Sequence, residues 1–514
     1  IFSVIQYFSL GDSAYDLGIN AQELYSFIHT GSFYTPLLGE NLLVQHFTLF
    51  KYIQVPIYFL FPSPIALMVF EDIFIALAGF LVYLISIQIL SHYIANKKYL
   101  ILLSLLLTLA FEVSPFTQSL VYFPFHNMAF LPFFFLLAMY SFYTEKKIIQ
   151  IISIAFIISL HSSFVYIVAM MLIYEFIFIR ISGYEIKHWL SNKYDAKSIY
   201  SSFYFIAFLI ILYLYLILAG YAKLYIAGVP TLNLVPSTGE SGVAAMSPIG
   251  LFLLLFKNPG KLFSMVDSHL YFKIYYITTL LRPTAYISFL SPLSFIMAIP
   301  YMLYALPSSY TSYYQIGYQY SALIIGAVAI AGIMGIANLL KIVKYLKDKK
   351  IKHWYFNYKK DVENNTVKAI TIIIVISILL LVPYGILAPE GVHGYASYDN
   401  TMNSIFCLHV TPDSTYLIHE SKNMSGNAYI LTQNNLMPYF SNHINIYAAP
   451  YTPGYYNNIS MYQYIVVQNS SIWAKFNGNN PLNNIANESI ENGTFKVVSK
   501  FNGIDILENK KYLN

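Results

Sequence analysis

Asp16, in the stretch YDLGINAQE (Tyr15–Glu23), is the carboxylate best placed to act on a substrate. Leu17, Ala21, Leu24 and Ile28 recur at helical spacing, which predicts an amphipathic helix over 13–29 lying on the outer face of a membrane. Asp16 stands at its head beside Gly18, where the partial positive charge of a helix N-terminus favours a carboxylate. A carboxylate facing an acceptor hydroxyl can serve as general base or as a metal ligand. The structural alternative is a cap, because Ser13-Ala14-Tyr15-Asp16 fits the S/T-x-x-D/E pattern. His46 and His126 fall at the outer mouths of spans and could bind phosphate, a metal or a sugar hydroxyl. His161, at the turn of an apolar hairpin, is a weaker candidate of the same kind. Structural hydrogen bonding is the alternative for all three.

Three further ionisable residues lie inside apolar runs: Glu71, Asp72 and Arg282. A charge at that depth costs at least ~2.5–3.5 kcal/mol on insertion scales, so each needs a partner or a watery cavity. Arg282 could hold a lipid phosphate through two parallel hydrogen bonds. The alternatives are a helix break at Pro283 or pairing with an acid. The 49 tyrosines suit interfaces and packed bundle faces rather than a cofactor site. No GxxxxGK[ST], HExxH or GxSxG motif is present, so ATP-driven transport and zinc hydrolysis have no support in the sequence. Cys407 stands alone, which excludes an intramolecular disulfide and a CxxC metal site.

The elements that must position these residues are membrane helices. With 57% apolar residues, 10% charged and a mean hydropathy of +0.56, the chain is not a soluble globular protein. Apolar runs at 63–90, 99–113, 128–143, 148–160, 164–179, 200–219, 272–290, 293–306, 320–340 and 369–387 read as spans or half-spans, about 10–12 in all once short pieces are counted. The opening IFSVIQYFSL resembles the tail of a span that begins earlier. Lys97-Lys98, Lys146-Lys147, the loop 180–197 and the loop 341–368, which holds nine lysines, mark the cytoplasmic side. The opening helix, the loop 114–127, the His161 turn, the Pro- and Gly-rich loop 220–270 and the tail then lie outside. The net charge of +5 follows this topology and implies no nucleic-acid partner.

The expected architecture is an α-helical polytopic membrane protein: a helix bundle over 1–388 and a small extracytoplasmic α/β domain over 389–514. Strand-like runs at 428–431, 444–447 and 464–467 alternate with Asn-, Gly- and Pro-rich turns, and Phe495–Leu507 predicts a β-hairpin, since Asn502-Gly503 suits a type I′ turn. Acceptor sequons at Asn423, Asn458, Asn469, Asn487 and Asn492 agree with an outside tail, whereas Asn364 falls in the inner lysine-rich loop and should stay unmodified.

The segments YDLGINAQELYSFIHTGSFY, VQHFTLFKYIQVPIYFLFPSPIALMVFE, FPFHNMAFLPFFFLLAMY, SPLSFIMAIPYML and, in the tail, NAYILTQNNLMPYFSNHINIYAAP with YIVVQ resemble the archaeal and bacterial membrane family called domain of unknown function 2079. That family resembles the GT-C glycosyltransferases, membrane enzymes that use polyprenyl-phosphate sugars. The resemblance implies a GT-C-like bundle and a catalytic carboxylate in the first outer loop, where Asp16 matches; His46 and His126 also match family positions. Two departures stand out. Phe125-His126-Asn127-Met128-Ala129 replaces a family FHPEA, and His161-Ser162-Ser163 replaces a Lys-Glu-Asp triplet. The expectation is therefore a glycosyltransferase at the outer face, with Asp16 as base or metal ligand, Arg282 on the lipid phosphate, His46 and His126 in support, and a divalent metal open as cofactor. The alternatives are a non-catalytic cell-envelope scaffold, or a transporter that uses Glu71, Asp72 and Arg282 as a polar path.

Overall fold

The apolar runs become helices in the computed structural model of the chain, which describes residues 1–45, 47–181, 256–308, 310–348, 362–386, 408–452, 454–469 and 481–513. Among these, three helices are long and apolar enough to cross a membrane: Pro64–Leu90, Ile325–Leu346 and Asn364–Tyr384. A fourth span forms if Lys97–Val113 and Pro115–Tyr122, bent by 47°, count as one. The bend has a local cause, since Pro115 cannot continue the preceding hydrogen-bond ladder. Shorter apolar helices occupy Asn127–Tyr143, Lys147–Leu160, Val165–Ile179 and Pro292–Ala305. The expected span at 200–219 and the loop 180–197 lie outside the described residues almost entirely. So do most of the loop 220–270 and the middle of the lysine-rich loop.

The chain divides into two compact units that do not follow its order. One gathers Ile1–Ile73, Val121–His126 and Cys407–Asn514; the other gathers Phe74–Leu120 and Asn127–Phe406. The tail from Cys407 shares a unit with the first 73 residues.

In the first unit, the tail folds into a five-stranded sheet of β1 (Tyr429–Gln433), β2 (Asn445–Ala449), β3 (Tyr464–Gln468), β4 (Phe495–Phe501) and β5 (Ile504–Asn509). Their order is β2-β1-β3-β5-β4, with β2, β1 and β3 parallel and β5 antiparallel to both of its neighbours. Asn502 and Gly503 both take positive φ, 45° and 79°, as the type I′ turn requires. Leu431, Ile465, Leu507, Tyr462, Leu482 and Phe495 form a buried core in this region.

The helix Ile19–Thr30 is buried over more of its circumference than the single apolar stripe predicts. Leu17, Ala21 and Leu24 are buried as anticipated, but so are Asn20, Gln22, Glu23 and Ser26. Polar groups tolerate burial only when they find partners, and several do here. Gln22 Nε2 donates to the Ile444 carbonyl at 3.2 Å, Asn20 Nδ2 donates to the Asp16 carbonyl at 2.8 Å, and the Glu23 carboxylate pairs with the Lys51 ammonium. The helix is a core element of its unit.

In the second unit, the helix Ile325–Asp348 carries glycines where other backbone approaches it. A Cβ on Gly335 would collide with the Ile287 carbonyl, and one on Gly332 with the Thr284 side chain. The short 3₁₀ turns that follow Arg282 pack there for that reason.

Candidate functional site

Asp16 sits in a five-residue π-helical turn, Ala14–Gly18, that leads into the core helix. Such wide turns inside helices occur often at functional sites. The turn is held from both sides: Gly18 N–H donates to the Ser13 carbonyl at 3.0 Å, and Ala14 N–H donates to Asn434 Oδ1 at 2.8 Å. Ser13 does not cap the turn through its side chain. Its hydroxyl instead bonds the Asp16 carboxyl. Asp16 stays partly exposed, yet burial pushes its pKa up to about 7, against the lowering from Ser13.

Two more carboxyls share this neighbourhood. Asp12 is buried, and neither of its carboxyl oxygens has a hydrogen-bond partner. Burial pushes its pKa up to about 8. Glu71, in the helix Pro64–Leu90, is also buried; its Oε1 accepts a hydrogen bond from the His126 backbone N–H at 3.1 Å. Glu71 lies within electrostatic reach of Asp72, Asp16 and Asp12. Asp72 in turn accepts a hydrogen bond from Ser3. Asp16 is thus one member of an acidic group, not an isolated residue. Sequence reasoning missed Asp12, for which the only local signal is its position four residues before Asp16.

The other expected site residues separate. His126 is half-buried and joins the acidic group through its backbone N–H. His46 lies outside the described residues. Arg282 belongs to the second unit and is described there by itself. Its guanidinium lies over the Tyr384 ring, 5.0 Å from the centroid, and hydrogen-bonds the Tyr384 and Tyr286 side chains. Its carbonyl accepts from Ser377 Oγ at 2.8 Å. Among the described residues no carboxylate pairs with it. The turn beyond it is strained, since Ala285 and Tyr286 take φ of 50° and 60° without being glycine.

Met128, where the resemblance places an acid, is buried, and so is His161, at the head of the replaced triplet; His161 Nδ1 accepts the Ser163 N–H at 3.1 Å, which makes it a local cap. Two acids on apolar helices escaped sequence reasoning. Glu112 accepts a hydrogen bond from the Gly79 backbone N–H, and Glu175 accepts from Gln150 Nε2 at 2.7 Å. Among the described residues no three His, Cys, Asp or Glu side chains come together to hold a metal ion.

The family model of predicted membrane proteins DUF2079 matches residues 6–506. The chain belongs to this family. The match covers Asp12, Asp16, Glu71, His126 and Arg282 alike, and it places the whole DUF2079 chain, tail included, among membrane proteins. No curated protein matches it.

Proposed function

We propose that this DUF2079 protein is a GT-C-like glycosyltransferase that moves a sugar from a polyprenyl-phosphate donor to an acceptor hydroxyl at the outer membrane face. The observation that carries this reading is Asp16: a partly exposed carboxyl on a widened turn, with its pKa pushed up to about 7. A general base works best when its pKa lies near the working pH. In the step, the acceptor O–H bond breaks and its proton goes to the Asp16 carboxylate. The acceptor oxygen bonds the anomeric carbon, and the bond from that carbon to the phosphate oxygen breaks, its electron pair leaving on the lipid phosphate. Arg282, taken within its own unit, has the chemistry of a phosphate contact, because its charge has no carboxylate partner among the described residues and its planar fork matches a phosphate. His126 and His46 would support the acceptor side.

The orientation belongs to the same proposal. Lysine-rich loops inside place the tail outside, and all five tail sequon asparagines are exposed. The scaffold reading has one observation in its favour, a buried Met128 at a position where the resemblance implies an acid.

Asp16→Asn separates the two readings. It keeps the shape and a good capping side chain while removing the charge. Transfer from a polyprenyl-phosphate sugar, measured in membrane vesicles, should fall by about 10²–10⁴-fold while the thermal transition stays in place. Undiminished transfer, or undiminished envelope glycan in cells carrying the variant, would exclude the base role.

A further inference from the structure

The winding of the tail sheet reverses between β1 and β3. From β1 the chain crosses to β2 on one side, through the turn Met437–Phe440; from β3 it goes on toward β4 on the other side, through the helix Pro481–Glu491. The carboxyl ends of β1 and β3 are therefore neighbours whose connections part. In open α/β sheets ligands bind in the crevice that such a reversal opens. Gln433 and Gln468, the last residues of the two strands, are buried there and tie the strand ends together. Gln433 Nε2 donates to the Gln468 carbonyl at 3.3 Å, and Gln468 N–H donates to Gln433 Oε1 at 3.1 Å.

The turn that carries Asp16 stands on the same edge. Ala14 N–H donates to Oδ1 of Asn434, the residue that follows β1, and a Cβ on Gly18 would collide with the Met437 sulfur. The exposed Tyr15 ring lies 5.5 Å from the ring of Tyr451, two residues past the end of β2. One unit thus gathers, at the carboxyl edge of three parallel strands, the carboxyl of Asp16, a partly exposed aromatic pair and a group of side-chain amides. Amides both donate and accept hydrogen bonds, as sugar hydroxyls do, and an aromatic face takes the apolar C–H face of a sugar ring. A phosphate finds less there. Lys500, beside the β4–β5 turn that reaches this edge, is already paired with Asp505 at 3.2 Å.

We propose that the carboxyl edge of the tail sheet binds a neutral saccharide, seated on Tyr15 and Tyr451 with its hydroxyls toward Asn434 and Asp16, and that this saccharide is the acceptor. The acceptor role rests on the reading of Asp16 as the working carboxylate; the binding does not.

The test is equilibrium binding of neutral trisaccharides of glucose, mannose, galactose and N-acetylglucosamine to the full chain in lipid nanodiscs. At least one of them should bind, and inorganic phosphate should not displace it. Tyr15→Ala and Tyr451→Ala should each weaken binding about ten-fold, whereas Tyr15→Phe and Tyr451→Phe, which keep the ring, should stay near the wild type. Binding of none of the trisaccharides, binding unchanged in both alanine variants, or displacement by phosphate overturns the proposal. Should the alanine variants not fold, saturation transfer from a wild-type chain protonated only at tyrosine replaces them. Saturation that reaches the sugar C–H protons supports the aromatic seat, and its absence overturns it. Binding is read without transfer. A trisaccharide that binds but is never glycosylated therefore counts against the transferase reading alone, and transfer with no trisaccharide bound counts against this inference alone.

Discussion

Lys51 and Glu23 show how far burial overrides attraction at the scale of single residues. Each is essentially inaccessible, and each is pushed toward its neutral form: Glu23 up to about 7 and Lys51 downward, by burial first, with the partner pulling the other way. Glu23 Oε2 has no further hydrogen bond. Such a pair specifies an arrangement more than it adds stability. Lys51→Met should therefore destabilise the unit by about 3–5 kcal/mol, because it strands a buried carboxyl, while Glu23→Leu combined with Lys51→Met should recover most of that loss. Thermal unfolding of the three variants in one detergent checks this; a double variant as weak as the single would mean the pair itself stabilises. None of this was legible in the chain, where Glu23 and Lys51 stand 28 residues apart. Asp16 was legible as a candidate. Its acidic company was not, because depth and mutual distance are properties of packing.

Secondary structure was far more open to reading. The tail strands fall within a residue or two of the alternating runs, and Asn502-Gly503 makes the expected turn, since such signals act locally. The helix Ile19–Thr30 shows the limit of the method. Its apolar stripe predicts one buried face, but the burial of Gln22 and Glu23 depends on partners at Ile444 and Lys51 that no local pattern announces. The glycines of Ile325–Asp348 are a similar case, because only the approach of Ile287 gives Gly335 its purpose. Gly335→Ala should cost at least ~1–3 kcal/mol through overpacking against backbone that cannot rotate away. Gly260→Ala, with only the Asn258 side chain 3.8 Å from the added atom, is the matched control. Equal yield and equal heat resistance of the two variants would refute the close-approach argument.

For the molecule as a whole, the family and the membrane character were both readable from composition and segment order, and the match over residues 6–506 agrees. The division into units was not readable, because hydropathy reports spans and not which distant segments pack together. The proposed orientation has a direct check: engineered glycosylation in a competent host should modify Asn458 and Asn492, which are exposed, and leave Asn364 untouched. Modification of Asn364 alone would invert the topology.

The first unit draws on both ends of the chain, and this has a consequence for synthesis. Ala14 leans on Asn434, Gln22 on Ile444 and Tyr58 on Asn442, each partner more than 380 residues downstream. A ribosome extends a chain at about 5–20 residues per second, so the opening segment must wait some tens of seconds for the residues that complete it. During that interval Glu23 and Lys51 have each other but not the rest of their shell, and the carboxyls at Asp12 and Asp16 remain open to water. The raised proton affinities of Asp12 and Asp16 come from burial, so they are acquired only after the tail strands have been made.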